Sequence, residues 1–241
     1  MSTIVVTGGT KGLGLAIVRE IVSATAFDCI VVARNISPEL NTLLSESSRV
    51  SFIEFDLSDT ARVYDLSCEI RDLVPGGPYG LVNNAAIGGD GILATQHISD
   101  IEAIVRLNQI SPILLSKFIG RQMLRNKVGH IINISSVVAK TGYSGLSVYA
   151  STKAALVGFS RSLAREYGKY GVCVNSVLPG FMATDMTSGM GDDKMKVIAR
   201  RSPTKSLPTT ASVANLVVTI LKTNDYSING AEFLVDAGNS A

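Results

Sequence analysis

Thr3-Ile4-Val5-Val6-Thr7-Gly8-Gly9-Thr10-Lys11-Gly12-Leu13-Gly14 is the stretch that decides the fold of this chain. Its first five residues are rich in β-branched side chains and predict a strand, and the apolar residues at 13, 17 and 21 predict a helix directly after the glycines. Glycines lack Cβ atoms, and a helix N-terminus has unpaired N–H groups. A strand, a glycine-rich turn and a helix in this order therefore predict a cradle for phosphate.

The glycine spacing qualifies that prediction. It reads Gly-x-x-x-Gly-x-Gly, whereas the usual dinucleotide fingerprint is Gly-x-Gly-x-x-Gly. Such glycines also occur in ordinary turns. Their place between the first strand and the first helix favours the functional interpretation.

Further Val- and Ile-rich runs recur along the chain, separated by helical patterns. They predict strands over residues 28–33, 50–55, 79–82, 130–134, 172–177 and 232–235. Continuous apolar strands that alternate with helices indicate a mainly parallel sheet with helices on both faces. We therefore predict a single doubly wound Rossmann-type α/β domain of about seven strands over residues 1–241.

Bulk composition narrows the classes of function. The 22 basic and 20 acidic residues give a net charge of +2, which provides no argument for a nucleic-acid partner. No apolar stretch approaches the roughly 20 residues of a membrane span, and no secretory signal pattern is present. Three widely spaced cysteines and two isolated histidines predict neither disulfides nor a metal site. We expect a cytoplasmic protein.

Chemistry-bearing residues follow the predicted strands. Open α/β sheets bind ligands outside the carboxyl ends of their strands, so these residues should share one edge. They are Thr7 and Gly8, Arg34, Asp56, Asn83 to Ala85, Ser135 and Ser136, and Pro179 and Gly180.

Tyr149 and Lys153 lie four residues apart in a helical pattern. Residues at that spacing share a helix face, so the ammonium can approach the phenol. A phenol has an ordinary pKa of about 10, and a nearby cation should lower it. The pair predicts a general acid/base.

Together the motifs resemble those of the short-chain dehydrogenase/reductase family over essentially the whole chain. The subfamily most similar is that of the 3-oxoacyl-acyl-carrier-protein reductases. The resemblance is carried by residues 7–14, Asp56-Leu57, Asn83-Asn84-Ala85-Ala86, Asn108, Ser136, Tyr149-x-x-x-Lys153 and Pro179-Gly180 with Thr184.

The resemblance implies a catalytic tetrad in which Ser136 stabilises the substrate oxygen, Tyr149 protonates it, and Lys153 also holds the nicotinamide ribose; the fourth member is Asn108. It further implies cofactor contacts from Gly8, Thr10, Lys11, Gly12, Leu13, Gly14, Arg34, Asp56, Leu57, Asn83, Ala85, Tyr149, Lys153, Pro179, Gly180, Met182 and Thr184.

The residue after the second predicted strand indicates the cofactor. An acid at that position bonds the ribose 2′-OH of NAD, whereas an arginine accommodates the 2′-phosphate of NADP. The chain has Arg34 there and no acid before Glu39, and Lys11 would add a second charge. We predict NADP(H), although both cations could be ordinary surface residues.

The leading prediction is an NADPH-dependent reductase of 3-oxoacyl thioesters. Its basic surface for a carrier protein would be formed by Arg121, Arg125, Lys127 and Lys169. Alternatives are a sugar, polyol, steroid or small ketone as substrate, or a non-catalytic dinucleotide-binding regulator. The glycine- and methionine-rich segment 180–208 is either a substrate loop or a core insert.

By resemblance we expect a homodimer or homotetramer, paired through residues 108–125 and 151–168. One further prediction is local. Pro112 has no N–H for the carbonyl of Asn108, so the helix should kink there.

Overall fold

The strands form one sheet in the computed structural model, which describes residues 2–223 and 225–240. The order is β3-β2-β1-β4-β5-β6-β7, and every neighbouring pair is parallel. The strands are β1 (Thr3–Thr7), β2 (Asp28–Ala33), β3 (Val50–Glu54), β4 (Gly80–Asn83), β5 (Gly129–Ile134), β6 (Val172–Pro179) and β7 (Glu232–Val235). The predicted parallel α/β sheet is confirmed.

Helices cover both faces. They are α1 (Gly12–Ala24), α2 (Pro38–Glu46), α3 (Val63–Leu73), α4 (Ile98–Val105), α5 (Ser111–Asn126), α6 (Val138–Thr141), α7 (Ser147–Gly168), α8 (Asp192–Arg201) and α9 (Thr210–Lys222). Within residues 2–223 and 225–240, none of them is both long and apolar enough to span a bilayer.

The core consists of two layers, one on each face of the sheet, because successive side chains of a strand point to opposite faces. Ile4 and Val6 pack in one buried cluster with α1 and α9, whereas Val5 packs in the other with α3, α5 and α7. Each layer consists of buried, mostly aliphatic side chains. The central strands are therefore apolar without alternation, as a sheet covered on both faces requires.

The strand order reverses between β1 and β4, since β2 and β3 lie to one side of β1 and β4 to β7 lie to the other. Such a switch point opens a crevice at the carboxyl ends of the strands. The glycine loop after β1 lies at this crevice.

A π-helical turn, Arg106–Ile110, joins α4 to α5. The N–H of Ser111 donates to the carbonyl of Arg106, five residues earlier, and Pro112 follows at once. The helical irregularity predicted from Pro112 thus takes the form of a widened turn centred on Asn108.

Segment 180–208 contains helical structure despite its many glycines. It holds a short 3-10 helix, Asp185–Met190, followed by α8. The side chain of Thr184 accepts from the backbone N–H of Thr187, and the N–H of Thr184 donates to Oγ1 of Thr187 at 3.1 Å. This capping box fixes the start of the segment.

Candidate active site

A cavity of about 800 Å³ lies at the carboxyl ends of the strands. Its volume is in the range of small-molecule and cofactor sites. Nearly all of the residues predicted for the site line it: Gly8, Thr10, Lys11, Gly12, Leu13, Gly14, Arg34, Asp56, Leu57, Ala85, Ser136, Tyr149, Lys153, Pro179, Gly180, Met182 and Thr184. Asn83 and Asn108 do not.

The glycine loop forms one wall of the cavity. Gly8 has a φ of +66°, and a Cβ built on Gly14 would lie 2.1 Å from the carbonyl oxygen of Gly8. The loop is therefore folded more tightly than any side chain at position 14 would allow. Asn84 fixes the glycine loop, because its Nδ2 donates to the carbonyls of Thr7 at 2.9 Å and Gly8 at 3.2 Å.

This loop fits a dinucleotide cofactor. The start of α1 has glycine at two positions, 12 and 14, and no acidic residue occupies the first turn of the helix. Backbone N–H groups at a helix N-terminus attract phosphate. The residues present would hold the pyrophosphate of such a cofactor.

Ser136, Tyr149 and Lys153 lie together at the other end of the cavity. A hydrogen bond joins Ser136 to the Tyr149 phenol. Nζ of Lys153 lies 5.6 Å from the centroid of the Tyr149 ring. The grouping predicted from the sequence is present.

Lys153 is fixed from two sides by the end of β5. Its Nζ donates to the carbonyl of Ile134 at 2.8 Å, and the hydroxyl of Ser135 donates to the carbonyl of Lys153, also at 2.8 Å. Only 2% of Lys153 is exposed. The Ile134 carbonyl thus positions the ammonium and Ser135 anchors the backbone of Lys153, roles that the sequence analysis missed.

The pKa of the Tyr149 phenol corrects one prediction. The sequence suggested that Lys153 lowers it, but burial raises the pKa of Tyr149 to about 12, and only the hydrogen bond from Ser136 opposes that rise. Burial also lowers the pKa of Lys153 to about 8. The predicted direction is wrong because desolvation of the phenolate is the largest effect on this pKa. At neutral pH the phenol carries its proton, as a proton donor must.

The Lys153 pKa leads to a testable pH dependence. Below about pH 8 the amine is charged, and above it the charge is lost. If the ammonium supports the predicted reaction, its kcat/KM should be flat from pH 6 to 7 and should fall by about tenfold per unit above pH 8. A profile that stays level to pH 10 would contradict this requirement.

Asn108 is hydrogen-bonded to a residue that lines the cavity. Its side chain is completely buried, accepts from the N–H of Ile87 at 2.9 Å and donates to the carbonyl of Ile87 at 2.8 Å. Ile87 lines the cavity. The Asn108 side chain is thus bonded to the cavity wall and does not line the cavity, and its catalytic role stays a prediction.

Asn83 also departs from its predicted role at the cofactor. Its Nδ2 donates to Oδ1 of Asn133 at 2.8 Å and to Oγ of Ser116 at 3.2 Å. The residue is 2% exposed. As a correction, the Asn83 side chain ties β4 to β5 and α5 inside the core, and the neighbouring Ala85 lines the cavity instead.

The far end of the cavity combines both signs of charge. The Arg34 guanidinium contributes to lowering the pKa of Asp56, after the larger effect of a hydrogen bond from Ser58. Lys11 pairs with Asp185, with Nζ and Oδ2 3.0 Å apart. The sequence analysis missed Asp185, because nothing in the local pattern indicates a partner so distant in the chain.

The substrate end is mostly apolar. Phe181 packs on Tyr143 with ring centroids 5.0 Å apart. Other apolar side chains of the lining near Ser136 and Tyr149 are Ile87, Val138, Leu146, Met182 and Met186. An apolar group of a ligand would find contacts here.

The predicted basic rim lies elsewhere. Lys127 and Lys169 precede the first residues of β5 and β6, whereas the cavity is lined by residues at the opposite ends of these strands. Arg121 and Arg125 belong to the final turns of α5, on the same side. Within one subunit these cations do not frame the entrance, because strands of this length separate the two edges.

Comparison with known proteins agrees with the fold and with the predicted family. The short chain dehydrogenase family model matches residues 2–195. The chain is 32% identical to the 3-oxoacyl-[acyl-carrier-protein] reductase FabG of Aquifex aeolicus (strain VF5), covering 97% of this chain and 95% of that protein. It is 33% identical to the Homo sapiens 3-oxoacyl-[acyl-carrier-protein] reductase, covering 96% and 94%.

A solved structure is similar over almost its full length. It is assigned as an NAD(P) dependent gluconate 5-dehydrogenase from Beutenbergia cavernae with NADP bound at low occupancy. The TM-score is 0.93 at 25% identity, covering 99% of this chain and 96% of the other.

Proposed function

The chain belongs to the short-chain dehydrogenase family, and from that premise we propose that it is an NADPH-dependent reductase that converts the ketone of a 3-oxoacyl thioester to a secondary alcohol. The observation that carries the proposal is a protonated, buried phenol beside a serine hydroxyl and an ammonium, in the same cavity as a glycine cradle.

Each residue then has a chemical task. NADPH, when bound, supplies the hydride. Ser136 donates a hydrogen bond to the ketone oxygen and stabilises the charge that develops there. Tyr149 gives its proton to that oxygen, since its pKa of about 12 keeps it protonated at neutral pH. The Lys153 ammonium then stabilises the tyrosinate.

The cofactor proposal rests on the cations of the cavity. Arg34 follows β2, lines the cavity and is exposed, so its guanidinium can bond a 2′-phosphate with two N–H groups. Lys11 lines the same end. The NADP bound to the Beutenbergia cavernae protein supports the same choice.

Replacement of Arg34 tests that choice. The Arg34→Ala variant should bind NADPH about tenfold or more weakly, because a charge-assisted hydrogen bond is lost. Its affinity for NADH, which lacks the 2′-phosphate, should stay the same. Fluorescence titration with both nucleotides measures the ratio. Equal weakening for both would show that Arg34 acts on something other than the phosphate.

The substrate proposal rests on the apolar end of the cavity and on the relatives. Phe181, Leu146 and Met186 suit an aliphatic acyl chain better than a polyol. Several 3-oxoacyl-[acyl-carrier-protein] reductases match nearly the whole chain at about the identities given above.

The deciding experiment is NADPH oxidation with acetoacetyl thioesters beside a panel of sugars, steroids and simple ketones. Turnover that is fastest with the thioester supports the proposal. Fast turnover of another ketone with no turnover of the thioester would overturn it.

Gluconate-like substrates are the second candidate. They are favoured by the solved structure with a TM-score of 0.93 and by Asp90, a carboxylate in the cavity lining that could bond sugar hydroxyls. The panel should therefore include 5-ketogluconate for reduction and gluconate for oxidation with NADP.

We also propose that the protein works in the cytoplasm as a homodimer or homotetramer through α5 and α7. Leu115 and Val157, two apolar residues of those helices, are buried within the subunit, whereas Ile113, Phe118 and Phe159 are only partly buried. These partly buried side chains support a contact between copies. Light scattering on the purified chain measures the state.

A further inference from the structure

The ion pair between Lys11 and Asp185 joins two walls of the cavity. Lys11 belongs to the glycine loop, and Asp185 begins the 3-10 helix of segment 180–208. The same two walls touch at a second point, because a Cβ built on Gly12 would lie 3.8 Å from Cγ2 of Thr184. The glycine loop and the segment are therefore already in contact beside the proposed phosphate site.

Hydrogen bonds of the neighbouring residues fix the backbone that carries the Asp185 carboxylate. Thr184 and Thr187 form the capping box, and the hydroxyl of Thr187 also donates to the carbonyl of Met182 at 2.6 Å. Asp185 therefore lies in a turn whose backbone is fixed by hydrogen bonds. Its side chain is 74% exposed and that of Lys11 is 68% exposed, so a ligand can reach both.

Arg34, Ser37 and Asp185 all line the cavity. The pKa of Glu39, at the start of α2, is lowered mainly by a hydrogen bond from its own backbone, and the negative charge of Asp185 opposes that lowering. Ser37, the N-cap of α2, donates to the carbonyl of Thr10 at 2.6 Å, which brings α2 against the glycine loop.

Resting on the cofactor of the proposed function, we propose that Asp185 competes with the 2′-phosphate of NADP(H) for Lys11, and thereby limits the preference of the protein for the phosphorylated cofactor. Lys11 must leave the carboxylate, or share its charge, before it can neutralise the phosphate. NADH has no group that needs Lys11. Asp185 is therefore a specificity-determining residue that weakens NADPH binding and spares NADH binding.

The expected effect is modest because the pair is exposed. The Asp185→Asn variant should bind NADPH about two- to five-fold more tightly, the range that an exposed ion pair provides. Its affinity for NADH should not change. Dissociation constants are measured by fluorescence of the reduced nucleotide, without a ketone substrate.

A double-mutant cycle separates competition from simple repulsion. In a Lys11→Gln background the carboxylate has no lysine to compete for, so adding Asp185→Asn should leave the NADPH affinity unchanged. Asp193→Asn is the matched control, because it removes a carboxylate from the same segment that pairs with its own lysine, Lys196, at 3.5 Å. It should bind NADPH as the parent does.

Each outcome decides the proposal. An Asp185→Asn variant with parental NADPH affinity would overturn it while leaving the proposed function intact. An equal gain in the Lys11→Gln background would also overturn it, since the carboxylate would then act directly on the phosphate. A parent protein that binds neither nucleotide would overturn the proposed function, and this inference with it.

Discussion

The Tyr149→Phe variant should reduce ketones about 10² to 10⁴ times more slowly than the parent, the contribution expected of a positioned general acid. The change removes one oxygen and keeps the ring that Lys153 approaches at 5.6 Å. Without the phenol, the charge that develops on the ketone oxygen has no proton donor. NADPH affinity and melting temperature should change far less than turnover, because the ring is kept and only the hydrogen bond to Ser136 is lost.

Tyr143→Phe is the matched control for this variant. It removes the same atom from the tyrosine whose ring packs on Phe181 at the substrate end, and that tyrosine is 39% exposed. Its turnover should remain near that of the parent. If Tyr149→Phe worked as fast as Tyr143→Phe, the phenol would not be the proton donor and the mechanism would be wrong.

The second large effect concerns the glycine loop. A Gly14→Ala variant places a methyl group 2.1 Å from the carbonyl oxygen of Gly8 and 2.6 Å from Nδ2 of Asn84. Neither neighbour moves easily, since one is backbone and the other is hydrogen-bonded to Thr7 and Gly8. The loop must open, at a cost of about 3 kcal/mol of unfolding free energy.

That cost should lower the melting temperature by about 5–10 °C and weaken NADPH binding by more than about 100-fold, since the phosphate cradle is lost. Calorimetry and nucleotide titration measure the two effects. Gly76→Ala is the control: a Cβ at that loop position meets nothing within 4 Å. If Gly14→Ala matched Gly76→Ala in both measurements, the close approach in the loop would have no functional meaning.

Local patterns predicted the sheet well. β1, β2 and β7 have the predicted limits, β3, β5 and β6 differ by one or two residues at one end, and β4 is shifted by one residue. A buried parallel strand is a short continuous apolar run, so its own residues carry the signal. The cavity at the carboxyl edge followed from the same reasoning, because the position of every strand end fixes the residues that come after it.

Contacts between distant parts of the chain were not predictable in this way. Asp185 meets Lys11 only after the sheet has formed, and Asn83 turns inward because Asn133 lies opposite on β5. The pKa of Tyr149 depends on how deeply the phenol is buried, which the spacing to Lys153 does not encode. Sequence reasoning therefore identified most of the residues at the site and missed what several of them contact.

The residues that line the cavity lie between Gly8 and Thr187, in segments that come together only when the strands assemble into the sheet. No fragment of the chain therefore contains the complete nucleotide site. Affinity for nucleotide arises only when the whole domain has folded. A dinucleotide that binds here must stabilise the native state by mass action and ignore partly assembled forms. Nucleotide binding would therefore report on correct folding without an activity assay.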